Sequence, residues 1–340
     1  MDKSVRPSVS QRALLIALAL MLAACAPRQQ PLLPDLQGPR LTDTAFIAAD
    51  GKEMAVQRWG PPGDAPLQAV FVAVHGFNDY ANAFDSSASW FADAGILTIA
   101  YDQRGFGHDA EAGLWAGGAR MAADLRQLLV LVRREHPGTP LYVLGQSMGG
   151  AVALLALAGE GAGDADPIAA SVADGVILVA PAVWGWSSMN IFYRAGLWLS
   201  AHTTPGWQLT GKSLDVMPSD NIEMLRAQGR DPLVIKRTRV DAIYGLVTLM
   251  DDALEVAPQV RLPVLLLYGA KDDIIPSKPM AKLHDRLGAH EYRLYADGYH
   301  MLLRGLRPDA AFADILEFIE ESAPEDLLEY GAASKVAAGN

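Results

Sequence analysis

The chain has 340 residues, 51% of them hydrophobic and 20% charged. That is enough for one large α/β domain carrying an insertion, or for two small domains, and it excludes a globally disordered chain. The net charge of −11 argues against nucleic acid or an anionic lipid surface as an electrostatic partner.

In chain order, Lys3, Arg6 and Arg12 precede an apolar run over 13–22 and then Leu22-Ala23-Ala24-Cys25. The run is too short to span a bilayer as a stable helix, and its layout is that of an export signal. Small residues before a cysteine resemble a bacterial lipobox. The resemblance implies that 1–24 is a signal peptide and that Cys25 is lipidated as the first mature residue. Cys25 is the one cysteine in the chain, so no intramolecular disulfide can form. Ala26, rather than Asp, follows it, which resembles the outer-membrane form of such signals and implies a lipid-anchored place in the cell envelope, facing the periplasm. Pro27, Pro31, Pro34 and Pro39 make 25–40 read as an extended tether.

The body begins near Leu41. Apolar or alternating runs predict strands over 44–48, 54–59, 69–74, 96–101, 141–144, 176–180, 264–268 and 291–295. The first two flank Ala49-Asp50-Gly51-Lys52 and read as a hairpin. Several of the others are continuously apolar, as strands buried on both faces are. Helical periodicity predicts helices over 84–94, 119–136, 150–158, 279–287 and 309–321. Alternating strands and helices of this kind specify an α/β fold, with eight mostly parallel strands and helices on both faces. No strand is predicted over 184–256, which carries Trp184, Trp186, Phe192, Trp198 and Trp207 with Met189, Met217 and Met224. It reads as a helical lid inserted after the sixth strand, dividing a core of 41–183 and 257–325; its aromatic residues either line a pocket for an apolar substrate or form the lid's own interior. Residues 326–340 read as a flexible tail.

The chemistry centres on Leu141 to Ala151, which reads Leu-Tyr-Val-Leu-Gly-Gln-Ser-Met-Gly-Gly-Ala. A strand running into Gly145-Gln146-Ser147-Met148-Gly149 and out into a small-residue helix is the setting a G-x-S-x-G nucleophile requires. Gly145 and Gly149 leave room beside the serine, and the helix N-terminus favours negative charge developing there. A serine nucleophile needs a base, an acid orienting that base, and oxyanion donors. In this fold they follow in the order serine, acid, histidine. Asp272 and Asp273 both lie on the loop after the seventh predicted strand, and spacing alone does not choose between them. His300 lies just past the last strand, where the base belongs. His136 ends a helical pattern before Pro137 and His284 sits within one, and both read as solvated or satisfied residues. The amides of Met148 and Phe77 are candidate oxyanion donors, with Gly76 allowing the backbone to turn between His75 and Phe77. This chemistry needs no metal and no organic cofactor.

These residues resemble the α/β-hydrolase fold, in particular its monoacylglycerol lipase and lysophospholipase branch, also labelled serine aminopeptidase-like. The likeness rests on His75-Gly76-Phe77-Asn78-Asp79-Tyr80, Tyr101-Asp102-Gln103-Arg104-Gly105-Phe106-Gly107, the elbow at Ser147, Gly269-Ala270-Lys271-Asp272 and Tyr299-His300. It covers about 41–325 and implies Asp272 rather than Asp273 as the acid. One departure stands out: the turn at Gly107 is followed by His108-Asp109 where the branch usually has serine. The resemblance implies a serine hydrolase of lipid-like carboxylic esters, monoacylglycerols or lysophospholipids, acting through an acyl-enzyme. Aminopeptidase or other α/β-hydrolase chemistry, and a non-catalytic envelope protein of the same fold, are the alternatives. The partners expected are an ester or lipid substrate and, through Cys25, a membrane; nucleic acid is not expected.

Overall fold

The computed structural model describes residues 26–63, 65–158, 172–211 and 216–323. The expected signal over 1–24, Cys25 and the expected tail over 326–340 lie outside the described residues.

The strands are β1 (Arg40–Leu41), β2 (Ala45–Ile47), β3 (Glu53–Trp59), β4 (Ala69–Val74), β5 (Ile96–Tyr101), β6 (Leu141–Gln146), β7 (Gly175–Val179), β8 (Gln208–Leu209), β9 (Thr238–Arg239), β10 (Val264–Gly269) and β11 (Glu291–Tyr295). The helices are α1 (Asp85–Asp93), α2 (Gly118–Glu135), α3 (Met148–Leu157), α4 (Ile191–Thr203), α5 (Ile222–Arg230), α6 (Val240–Val256), α7 (Ser277–Arg286) and α8 (Asp309–Ser322). The main sheet has nine strands, not the expected eight, in the order β1-β2-β3-β5-β4-β6-β7-β10-β11. The added strand is β1, whose Arg40 and Leu41 pair with Ile47 and Phe46 of β2. Backbone pairing across the turn at Thr42 recruits it. So short a strand carries no alternation for a sequence to display.

The sheet from β5 to β11 is parallel, and β3 enters antiparallel to β5. Its side chains alternate between two cores. On β4, Val70, Val72 and Val74 face a core covered by α2, α3 and α6, while Ala69, Phe71 and Ala73 face a core covered by α1 and α8. β10 divides the same way, with Leu266 and Tyr268 on the first face and Leu265 and Leu267 on the second.

Two expectations for 184–256 are corrected. β8 and β9 form a small antiparallel pair, Gln208 with Arg239 and Leu209 with Thr238, which is again too short to leave a pattern. Over 240–256, α6 belongs with the core: Ala242, Val247, Leu249, Met250, Ala253 and Leu254 are buried in it. What stands above the sheet is an insert that ends where α6 begins. Its α4 buries only Ala201 and leaves Phe192 82%, Tyr193 67% and Trp198 53% exposed. These aromatic side chains stand largely in water rather than in an interior of the insert.

The segment read as an extended tether is docked at two places. The Arg28 amide donates to Asp241 Oδ2 at 3.3 Å, and the Gln30 amide to the Trp115 carbonyl at 2.8 Å. The Leu36 and Gln37 amides both donate to the Ala49 carbonyl, at 2.9 and 3.1 Å. Proline excludes a helix here but not extended pairing between the prolines.

Candidate active site

In an open α/β sheet, ligands bind beyond the carboxyl ends of the strands, where the strand order reverses. The chain runs from β4 to β5 on one side and then returns to β6 on the other side of β4. The crevice therefore opens between the loops after β4 and β6. The first is the Gly76–Phe77 loop and the second is the turn at Ser147.

Ser147 has φ 52° and ψ −117°, a conformation few non-glycine residues adopt. The turn is held from several sides. The Ser147 amide donates to the Val179 carbonyl at 2.9 Å, and its carbonyl accepts from Gly150 at 3.0 Å and Ala182 at 2.9 Å. A Cβ on Gly145 would lie 2.7 Å from Gly150 Cα, and one on Gly149 would collide with the Val74 carbonyl oxygen. Both positions exclude a side chain, and only this tightness raises the half-buried serine clear of the sheet. Gly76 approaches closely as well: a Cβ there would stand 3.4 Å from Ser147 Cβ.

Further along the same edge of the sheet, the loops after β10 and β11 fold onto each other. Lys271 donates its amide to the Gly298 carbonyl at 2.9 Å, and Ala270 donates to Tyr295 at 2.9 Å. This brings His300 and Asp272 together. His300 is buried, with Nδ1 2.8 Å from Asp272 Oδ2. A carboxylate only accepts, so Nδ1 carries the proton and Nε2 is left as the basic nitrogen. Asp272 Oδ1 accepts from the amides of Ile274 at 2.8 Å and Ile275 at 2.9 Å. Asp273, the alternative, is exposed. Among the described residues, neither the Phe77 nor the Met148 amide has an acceptor, so both are free to donate to a ligand. No group of three or more His, Cys, Asp or Glu side chains among the described residues is placed to hold a metal.

Sequence reasoning missed the supports of the β4 loop. His75 is fully buried. Its Nε2 accepts from the Gln103 amide at 2.9 Å and its Nδ1 lies 2.8 Å from the Gly76 carbonyl, so those partners assign the proton to Nδ1. Burial lowers its pKa, which keeps the ring neutral. Gln103 Nε2 also donates to the His75 carbonyl at 2.8 Å. The available signal was the position of His75 directly before the glycine.

Asp79 is the second missed support. It accepts from Arg304 Nη1 at 2.6 Å and from Gln228 Nε2 of α5 at 2.8 Å. Tyr80 donates its hydroxyl to Asp231 at 2.7 Å, and the Asn78 carbonyl accepts from Ile235 at 2.9 Å. The β4 loop is thus tied both to the insert and to the turn after His300. Partners of this kind lie far apart in sequence and share no local pattern.

Among curated proteins, the chain is 25% identical to a monoacylglycerol lipase of Mycolicibacterium smegmatis over 82% of this chain and 96% of that one. It is 26% identical to the monoglyceride lipase of Mus musculus over 84% and 91%. Among solved structures it is similar to a soluble variant of monoglyceride lipase from Saccharomyces cerevisiae in complex with a substrate analog, with a TM-score of 0.67 at 18% identity over 87% and 97% of the two chains. A monoacylglycerol lipase from Paleococcus ferrophilus gives a TM-score of 0.63 at 20% identity over 80% and 100%. The fold is accordingly that of the α/β-hydrolases. Residues 65–306 match the serine aminopeptidase (S33) family, and the chain belongs to that family.

Proposed function

We propose that the protein is a serine hydrolase of carboxylic esters, with monoacylglycerols or lysophospholipids as its substrate class. Ser147 attacks the acyl carbon while His300 Nε2 takes its proton. Asp272 holds the imidazole in the required tautomer and stabilises the imidazolium that forms. The Phe77 and Met148 amides bind the tetrahedral oxyanion. His300 then protonates the departing alcohol, and water hydrolyses the acyl-enzyme by the same route in reverse. The observation that carries this reading is the serine in its left-handed turn on the same sheet edge as a buried His300–Asp272 pair.

The insert over 184–239 acts as the lid. Lipidated Cys25 holds the enzyme on the periplasmic side of an outer membrane, and the exposed residues of α4 meet the lipid. Two features support this: the apolar side chains that α4 leaves in water, and the net charge of −11, which leaves apolar contact rather than electrostatic attraction as the means of binding lipid. Among the described residues no helix is long and apolar enough to cross a membrane.

A fluorophosphonate probe tests the chemistry. Wild-type protein should label and Ser147→Ala should not; equal labelling would remove Ser147 as nucleophile. A p-nitrophenyl ester series from acetate to laurate tests the substrate class, and a sharp preference for acetate would leave a small-ester esterase. The family's description favours a second reading, peptide-bond cleavage at an amino terminus. Aminoacyl-nitroanilides run beside the esters separate the two.

A further inference from the structure

The departure at His108-Asp109 and the docking of residues 28–30 are one feature. Asp109 Oδ2 accepts from Gln30 Nε2 at 3.0 Å and from the Gly105 amide at 2.6 Å, while Oδ1 pairs with Lys52 at 2.6 Å. Gln30, polar yet only 6% exposed, also donates its amide to Trp115 at 2.8 Å. Gln29 bridges to Trp115 in parallel register, and the Arg28 amide reaches Asp241 at the start of α6. Trp115 itself is buried, its indole lying so close over Gly245 of α6 that a Cβ there would collide with the ring. Trp115 also meets Phe77, with ring centroids 6.3 Å apart, and Phe77 meets Phe106 at 5.6 Å. An unbroken run of contacts therefore leads from the N-terminal segment to the β4 loop.

We infer that residues 28–30 form a strap that seats Trp115 behind Phe77, making Gln30 and Trp115 positioning residues for the oxyanion amide of Phe77. This rests on the proposed serine-hydrolase mechanism, with Ser147 as nucleophile and Phe77 as an oxyanion donor. The physical case is one of constraint. The β4 loop is tied to the insert through Asn78, Asp79 and Tyr80, while the Phe77 side chain is held by packing alone, against the core and against the rings of Phe106 and Trp115. Trp115 supplies one wall of that packing, and it sits at the end of a glycine-bearing loop, 105–117, that has no helix or strand of its own. Gln30 closes that loop, bonding its Asp109 side chain and its Trp115 carbonyl. A donor displaced by a fraction of an ångström loses much of its effect on an oxyanion while leaving ground-state binding alone.

The test uses the full chain with Gln30→Ala, Gln30→Pro, Trp115→Phe and Trp115→Ala. Gln30→Pro removes the amide donor as well as the side chain. On p-nitrophenyl butyrate, kcat should fall about ten- to a hundredfold in Gln30→Pro and Trp115→Ala, with KM within about twofold. Affinity for a trifluoromethyl ketone, which forms the tetrahedral oxyanion on the serine, should fall in parallel. Trp115→Phe should recover most of the loss. A change in the melting curve of the Gln30 variants with kcat and ketone affinity both unchanged would overturn the proposal. Should Trp115→Ala not fold, the Gln30 variants decide alone. Failure of the underlying reading looks different: Ser147→Ala would still take the fluorophosphonate, whatever the strap does.

Discussion

His300 Nδ1 stands 2.8 Å from Asp272 Oδ2, and the other oxygen of the same carboxylate is held by the amides of Ile274 and Ile275. The carboxylate cannot rotate without breaking these bonds, so it fixes both the tautomer and the plane of the ring. Asp272→Asn keeps the shape but offers an N–H where the imidazole needs an acceptor. The ring is then driven to the wrong tautomer. Turnover of p-nitrophenyl butyrate should fall about 10³- to 10⁴-fold with little change in KM. Asp273→Asn, at an exposed position, should stay within twofold. Steady-state kinetics on both variants checks the assignment, and comparable losses in the two would overturn it.

The conformation of Ser147 should be visible as a cost to stability. A non-glycine residue at φ 52°, ψ −117° is strained by about 1–3 kcal/mol. Ser147→Gly relieves that strain, whereas Ser147→Ala removes the hydroxyl and keeps the Cβ. Urea unfolding should find the glycine variant more stable than the alanine variant by about 1 kcal/mol, although glycine also loosens the unfolded chain. Both should be inactive. Equal stabilities would mean that the turn stores no strain.

The strand–turn–helix around Ser147 was legible because its requirements are local: an apolar strand, two glycines and small helical residues within eleven positions. The order of Asp272 and His300 was legible because each lies on the short loop that follows a recognisable strand, the apolar 264–268 and the alternating 291–295. The choice between Asp272 and Asp273 was not, because adjacent residues share every local signal and differ only in which one faces the histidine. Only the family resemblance favoured Asp272. β1, β8 and β9 left no trace because two residues cannot display a period. Gln30 was read as part of a polar linker because a buried glutamine looks like an exposed one until its partners Asp109 and Trp115 are in place.

Away from the crevice, Arg104 forks onto both oxygens of Asp50 at 2.8 Å and onto Asp124 at 2.5 and 3.0 Å. Arg120 also reaches Asp50. Burial alone would raise the Asp50 pKa, but Arg104, the Lys52 amide and Arg120 outweigh it and hold the group at about 2, against an ordinary 3.8. The folded value lies below the unfolded one, so the stabilisation is fully present above pH 4 and is lost as pH falls toward 2. It is of order 2 kcal/mol at neutral pH. Wild-type stability should therefore drop between pH 4 and pH 2, and Asp50→Asn should start lower at pH 7 and show a shallower drop across that window. Urea midpoints at a series of pH values measure both slopes; parallel curves would mean that Asp50 does not carry the linkage.

The exposed face of α4 separates interfacial binding from chemistry. Phe192 and Trp198 are large, apolar and mostly in water, at 82% and 53% exposure. Moving each into an acyl boundary is worth about 1.5–3 kcal/mol, so replacing both should weaken vesicle binding at least tenfold. Phe192→Ser with Trp198→Ser should reduce sedimentation with phosphatidylcholine vesicles and lower turnover of vesicle-borne monoacylglycerol. Turnover of soluble p-nitrophenyl butyrate should hold steady, because α4 packs against α6, and the buried Ala201 and the His202–Tyr244 ring contact are both left in place by the variant. With the chain acidic overall, raising the salt concentration should not release the wild type from the vesicles. Loss on both substrates would make α4 part of the folded crevice rather than a lipid-facing surface, and loss on neither would leave its aromatic residues without a role at the membrane.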